Sequence, residues 1–268
     1  MQRLNRKRLR AGFSLIELVV VLMIIAIVAG LTVSIVGWLR RSADKGTASN
    51  VMASLLSNIE LYRTTLGTYP DRYDSLLDGS GTLYAGGGTS GDTGLAPQLR
   101  SSDIKLTTTT IADSTELGSL TKIGITTIMD HVPDSGVEKA PGSSGTALRP
   151  LATGGAVATI NTANKKGRLM YASIYPLAYN ASTDTLTPVA GVKLMVFGFG
   201  PANSALGKTI VSPPSYSGVG DPSAIYDRYL CVFAVYADGK RAQLKSVMDS
   251  TGDFLSQELS EFWDNKPE

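Results

Sequence analysis

Cysteine and histidine each occur once in 268 residues, and both scarcities narrow the function. With Cys231 alone, no intramolecular disulfide can form, even in a compartment that permits one. Cys231 lies inside the apolar run Tyr229-Leu230-Cys231-Val232-Phe233-Ala234-Val235-Tyr236, where a buried structural thiol is the expected role. His131, in Met129-Asp130-His131-Val132-Pro133, has no motif around it. A zinc site or a Ser-His-Asp triad would require it, but a single His with no motif around it is a weak signal, so it reads as an ordinary hydrogen-bonding side chain. The Gly-, Ser- and Thr-rich stretch 78–94 contains Gly86-Gly87-Gly88, but no Lys-Ser/Thr follows. Without a strand-to-helix context either, it reads as a surface insertion rather than a phosphate loop. A second loop region covers 133–150, with Pro133, Pro141, Gly142, Gly145 and Pro150.

Acid is missing from the first twelve residues, which carry Arg3, Arg6, Lys7, Arg8 and Arg10. They hold five of the 25 Lys and Arg residues and none of the 23 Asp and Glu, so the remainder has 20 basic against 23 acidic side chains, a formal −3. The overall net charge of +2 therefore belongs to the leader. No aromatic-studded basic patch occurs, and no nucleic-acid partner is indicated.

Proline is missing before Pro70, so nothing forces a break in helix from Phe13 to Leu66. Such a helix would be about 80 Å long. Its first part, about 13–39, is apolar, densest at Leu18-Val19-Val20-Val21-Leu22-Met23-Ile24-Ile25-Ala26-Ile27-Val28. Some twenty residues of this kind span a bilayer core of about 30 Å. The five basic residues before the run outnumber Arg40, Arg41 and Lys45 after it, which favours a cytoplasmic N-terminus and a head outside the membrane. In the second part Val51, Met52, Leu55, Leu56, Ile59, Tyr62 and Leu66 fall three or four apart, one face of an amphipathic helix.

One residue does not suit the apolar run. Glu17 would cost about 2.5–3.5 kcal/mol at the centre of a membrane helix. A removable signal peptide does not account for it: the apolar stretch is too long, and Ala26 and Val28 before Ala29 make a poor cleavage site. A plain signal anchor leaves Glu17 unexplained. A cut between Gly12 and Phe13 would create an α-amino group four residues before Glu17, cationic at neutral pH.

Gly12-Phe13-Ser14-Leu15-Ile16-Glu17-Leu18 behind a basic leader closely resembles the prepilin cleavage and methylation signature of type IV pilins and type II secretion pseudopilins. The resemblance implies that Gly12 precedes the cleavage site, Phe13 becomes the methylated N-terminus and Glu17 serves filament assembly. It implies an α+β, pilin-like fold: a leader at 1–12, a helix at 13–66, and an extracytoplasmic head at 67–268. It also implies a non-enzymatic role. The partners would be a prepilin peptidase, sibling pilins or pseudopilins, membrane lipid, and an inner-membrane assembly platform with its ATPase. The protein would sit once through the bacterial inner membrane and then enter a filament. Two departures stand out: no proline interrupts Leu31-Thr32-Val33-Ser34-Ile35, and the C-terminal disulfide of many type IV pilins is impossible. The missing disulfide and Gly67-Thr68-Tyr69-Pro70, similar to the post-helix segment of major pseudopilins, favour the secretion branch over a type IV pilus or competence minor pilin. A membrane-anchored binding or enzyme domain is the alternative from another class.

Strands are expected at Lys122–Met129, Arg168–Leu177, Val192–Phe199 and Tyr229–Tyr236, and Asp238-Gly239 signals a hairpin into Arg241–Val247. These predict an antiparallel sheet packed on the helix, and Phe254–Trp263 reads as a short amphipathic helix. Asp249-Ser250-Thr251-Gly252-Asp253 sets Asp249 and Asp253 around a Gly turn. Oxygen ligands so spaced can hold calcium, as major pseudopilins do in their C-terminal loop; an ordinary Asp-rich turn is the competing reading. No other cofactor is expected.

Overall fold

A computed structural model describes residues 15–84, 94–100, 105–131, 147–181, 185–216 and 225–264, with the backbone alone at 30–43 and at a few element ends. In chain order the elements are α1 (Leu15–Leu66), β1 (Tyr73–Asp78), α2 (Pro97–Arg100), β2 (Leu106–Thr110), α3 (Ser114–Lys122), β3 (Thr127–His131), β4 (Ala147–Pro150), β5 (Ala156–Ile160), α4 (Lys165–Ile174), β6 (Leu177–Asn180), β7 (Thr185–Pro188), β8 (Val192–Gly198), β9 (Leu230–Tyr236), β10 (Ala242–Met248) and α5 (Leu255–Asp264). The chain divides into two compact units, Met1–Ala43 and Asp44–Glu268.

In the first unit the described side chains of α1, Leu15 to Ala29, are apolar apart from Glu17. Its large apolar residues from Leu15 to Val28 are all exposed, from 46% at Val19 to 81% at Leu15. Among the described residues, no helix is long and apolar enough to cross a membrane. The apolar side chains described in this run end at Ala29, short of the span expected over 13–39.

In the second unit α1 changes character. Ala48, Met52, Leu55, Ile59 and Tyr62 are buried at steps of four, three, four and three, so one helical face carries the contact with the head. Leu66, four residues on, continues the spacing but is exposed at the helix end. Gly67 ends the helix at φ +80°, its N–H donating to Arg63 O at 2.8 Å, the left-handed cap that glycine adopts without a Cβ penalty.

The main sheet runs β10-β9-β8-β1-β3-β4, with β5 on the β8 edge and β2 beyond it. β8 meets β9 along its whole length, from Val192↔Tyr236 to Gly198↔Leu230. Its other edge is shared, β5 pairing at Met195 and Val196 and β1 at Gly198. The apolar run of β9 is explained by burial on both faces. Cys231, Phe233 and Val235 join Met195, Phe197, Tyr73 and the α1 stripe on one side. Leu230, Val232 and Ala234 join Leu194, Val196, Met170, Tyr171 and Phe254 on the other. The two-residue period of a strand sorts them.

Three expectations need correction. The sheet is mixed rather than antiparallel: β1 and β3 pair in parallel, Tyr73 with Ile128 and Asp74 with Met129. The long connection between them, holding β2 and α3, has room for the crossover that parallel pairing demands. The strand expected at Arg168–Leu177 is instead helix α4. Asn164 caps it by accepting the Gly167 N–H at 2.8 Å, and Gly167, Met170 and Tyr171 are its buried positions. The apolar positions there follow the helical period, which a strand reading of so short a segment overlooks. Finally, the loop regions are partly built. β4 closes the stretch 133–150 by pairing with β3, and Leu77↔Leu83 bridges the start of 78–94, leaving Tyr84 and Leu95 buried. The strands expected at Val192–Phe199, Tyr229–Tyr236 and Arg241–Val247 correspond to β8, β9 and β10, and the C-terminal helix to α5.

Candidate functional site

Two regions carry the chemistry singled out in the sequence. At the N-terminal one, Gly12 and Phe13 lie outside the described residues. Glu17 sits in the first turn of α1, exposed among exposed apolar neighbours. A carboxylate there interacts favourably with the helix dipole, but that is worth only about 0.3–1 kcal/mol. This is less than the roughly 2.5–3.5 kcal/mol that an acid costs inside a membrane, so helix capping alone does not account for it.

The helix exit fixes the head to α1. The Tyr69 hydroxyl donates to Glu60 Oε1 at 2.9 Å and accepts from Arg63 Nη1 at 3.1 Å. It also accepts from the Leu244 N–H at 3.3 Å, where β10 slips register between Leu244 and Ser246. Thus Tyr69 serves a backbone amide at a bulge, and its ring stacks edge-on against Phe233 at 5.3 Å. Burial, and then the bond to Glu60, push its hydroxyl up to about 12.

The C-terminal region gathers acids. The Gly turn after β10 closes through Gly252 N–H to Asp249 O at 3.2 Å and Asp249 N–H to Asp253 O at 3.0 Å. Asp249 Oδ1 accepts from Thr251 N, Thr251 Oγ1 and Asp253 N at 2.8–2.9 Å. Asp249 is fully buried, and its Oδ2 has no hydrogen-bond partner. Burial, reinforced by the charge of Asp253, pushes the Asp249 carboxyl up, against the bonds it accepts. Carboxylate oxygens of Asp249, Asp253 and Glu258 lie within 4.8 Å of one another. Tyr229 stands beside them, its hydroxyl pushed up by burial and then by Asp249 and Glu258. Calcium–oxygen bonds of about 2.3–2.6 Å put opposite ligands close to 5 Å apart, so the donor spacing fits such an ion.

Sequence reading finds Asp249 and Asp253 and misses Glu258. The signal was present: Glu258 follows Phe254 by four residues, so a helical reading puts it on the same buried face. Lys105 was also missed, and no local pattern marks it. Its ammonium donates to Asp253 Oδ1 at 2.9 Å, Thr251 O at 3.1 Å and Gly252 O at 3.3 Å. His131 ends β3, with its side chain outside the described residues.

Two clefts of the head bear on catalysis. One, about 300 Å³ between α1 and the Ile210–Pro214 segment, is lined by no ionisable side chain. The other, about 320 Å³ among α4, β10 and α5, has Lys245 as its one charged group. Neither pairs a nucleophile with a base.

From Leu15 to Val28 the described apolar side chains are exposed, with one acid, Glu17, near the start; a helix apolar all round is of the kind that finds its cover in lipid or among other helices. The comparison with known families is specific at this place: the prokaryotic N-terminal methylation motif matches residues 7–33. The chain therefore carries the N-terminal signature of type IV pilins and pseudopilins, over about a tenth of its length. That signature implies processing by a prepilin peptidase and assembly with other pilin-type subunits. No curated protein and no solved structure matches the chain.

Proposed function

We propose that this chain is a structural subunit of a pilus-like filament, a pseudopilin of the type II secretion kind. A prepilin peptidase cuts after Gly12 and methylates Phe13. The mature protein waits in the bacterial inner membrane, crossing it once with its head on the extracytoplasmic side. An assembly platform and its ATPase then move it into the filament. The observation that carries this reading is the methylation motif at residues 7–33, coupled to Glu17 in the first turn of a helix whose described apolar side chains are exposed.

On assembly each helix exchanges lipid for neighbouring helices, gaining van der Waals packing and partners for its polar groups. Glu17 pairs with the Phe13 amine of its own or an adjacent subunit and fixes the axial register. In a low-dielectric core, removing one member of such a pair strands the other at a cost of about 3–5 kcal/mol. The secretion branch is favoured by Cys231, a buried free thiol that can close no C-terminal loop within the chain, and by Tyr69 packed on the head behind the glycine cap.

The buried Asp249 Oδ2 favours one addition: a divalent cation, calcium, held by Asp249, Asp253 and Glu258. It would supply positive charge to the carboxylates and brace the turn against α5.

Glu17→Ala tests the main reading in cells that assemble the filament. The variant is expected to be processed and retained in the membrane, with its filament fraction reduced at least about tenfold by the loss of the ion pair. Incorporation at the wild-type level would contradict the role given to Glu17.

A further inference from the structure

The turn that follows β10 already holds a cation from its own chain. Lys105 Nζ places its three protons on three acceptors: Asp253 Oδ1 at 2.9 Å, Thr251 O at 3.1 Å and Gly252 O at 3.3 Å. The lysine stem is drawn in with it, since the Lys105 and Asp253 side chains are only 19% and 21% exposed. Gly252 is the point of closest approach: a Cβ there would come within 2.9 Å of Lys105 Cδ and 2.7 Å of Leu99 Cδ2, at φ +88°. Two backbone carbonyls and a carboxylate are the donors a hard metal ion takes from a turn. Here an ammonium takes them. One carboxylate oxygen deeper in, Asp249 Oδ2, is buried without a hydrogen-bond partner, in a residue whose ligand atom lies within 4.8 Å of those of Asp253 and Glu258.

We propose that Lys105 is a tethered competitor for the divalent-cation seat of this turn, holding the turn closed when metal is scarce and weakening the metal when it binds. This rests on the cation reading of Asp249, Asp253 and Glu258. A dication bound to Asp253 would share that carboxylate with an ammonium 2.9 Å from Oδ1. Two cations sharing one carboxylate stand only a few ångströms apart, where like charges repel even at the effective dielectric of a protein surface. Either the ammonium swings away, releasing the Thr251 and Gly252 carbonyls to the metal, or the metal binds against its field. Both routes give the same sign: Lys105 lowers metal affinity. In the absence of metal the same ammonium replaces the missing positive charge, so the turn does not depend on the ion for its shape.

The experiment uses the full chain in detergent, with calcium as the probe, titrated calorimetrically into the wild type, Lys105→Met, Lys105→Arg and Asp249→Asn. Thermal midpoints are measured in calcium and in chelator. Lys105→Met should bind calcium about tenfold tighter or better. Its midpoint should fall below that of the wild type in chelator and recover in calcium. Lys105→Arg, keeping the charge, should stay near the wild type in both. Asp249→Asn should lose the calcium response. Equal or weaker calcium binding by Lys105→Met than by the wild type would overturn the competition. If no variant binds calcium, the metal reading fails and the competition with it. The chelator midpoints then still read Lys105 as the turn's own cation: a lowered Lys105→Met midpoint supports it and an unchanged one refutes it.

Discussion

Asp71, two residues past Tyr69, shows how much a single carboxylate organises at the exit of α1. Its Oδ1 accepts the backbone N–H groups of Thr126 and Thr127 at 2.8 and 2.9 Å, and its Oδ2 both threonine hydroxyls at 2.6 and 3.0 Å. One side chain thus ties the segment after the helix to the start of β3. Burial pushes the Asp71 carboxyl up, but the Thr126 hydroxyl and the N–H groups of Thr127, Thr126 and Arg72 outweigh it and leave it below the ordinary value of 3.8. A carboxylate lowered in the folded state stabilises above its unfolded value and loses that contribution as pH falls through the folded one. Asp71→Asn should therefore cost about 1–2 kcal/mol at pH 7, charge-assisted bonds discounted for solvent screening. The gap to the wild type in denaturant unfolding should close below about pH 3.8; a gap that persists there would contradict the assignment. Little of this was legible in the sequence. Gly67-Thr68-Tyr69-Pro70 announces a helix end with an aromatic on the head, because glycine and proline act locally. The four partners of Asp71 lie 55 and 56 positions away and leave no local mark.

Among the elements, β1 carries the most local constraint. Arg72 and Leu76 both adopt φ 62°, a left-handed conformation that costs a non-glycine residue about 1–3 kcal/mol. The strand also breaks register between Asp74 and Asp78. What holds it is a buried bond from the Tyr226 hydroxyl to Asp74 Oδ2 at 2.8 Å, and space for that pair is made by glycine. A Cβ on Gly198 would meet the Tyr226 hydroxyl oxygen at 1.9 Å, and one on Gly200 would meet the Asp74 carboxylate oxygens at 2.0 and 2.2 Å. Gly200→Ala should destabilise the head by about 3 kcal/mol or more, the upper range for overpacking, measured as a lower thermal midpoint with the sheet disrupted. A loss under 1 kcal/mol would show that β1 yields easily. Such elements divide cleanly by legibility. β9 announces itself through an apolar run long enough to bury both faces, and the β9–β10 hairpin through Asp238-Gly239, with Gly239 at φ +67°. β2 (Leu106-Thr-Thr-Thr-Thr) and β1 lack a clear two-residue alternation, and α4 presents too few turns for its period to stand out. The parallel β1–β3 pair depends on a crossover, which no local pattern encodes.

At the scale of the whole molecule, two compact units, Met1–Ala43 and Asp44–Glu268, bury their apolar residues to very different extents. The head buries both faces of its central strands and ties its ends with Tyr69, Asp71 and Lys105. The described apolar side chains at the start of α1 are exposed, and the methylation motif at residues 7–33 implies processing by a prepilin peptidase. That motif was the most legible feature of the sequence, since its chemistry is carried by consecutive residues and needs no fold to be read. The central claim is that Phe13 becomes the methylated N-terminus. It is tested most directly by intact-mass and N-terminal fragment mass spectrometry of the protein purified from membranes of a host with a prepilin peptidase. The account predicts a chain lacking residues 1–12 that begins at Phe13 with one added methyl group. A chain that keeps its leader beside an active peptidase, or is cut beyond the apolar run near Ala29, would contradict it.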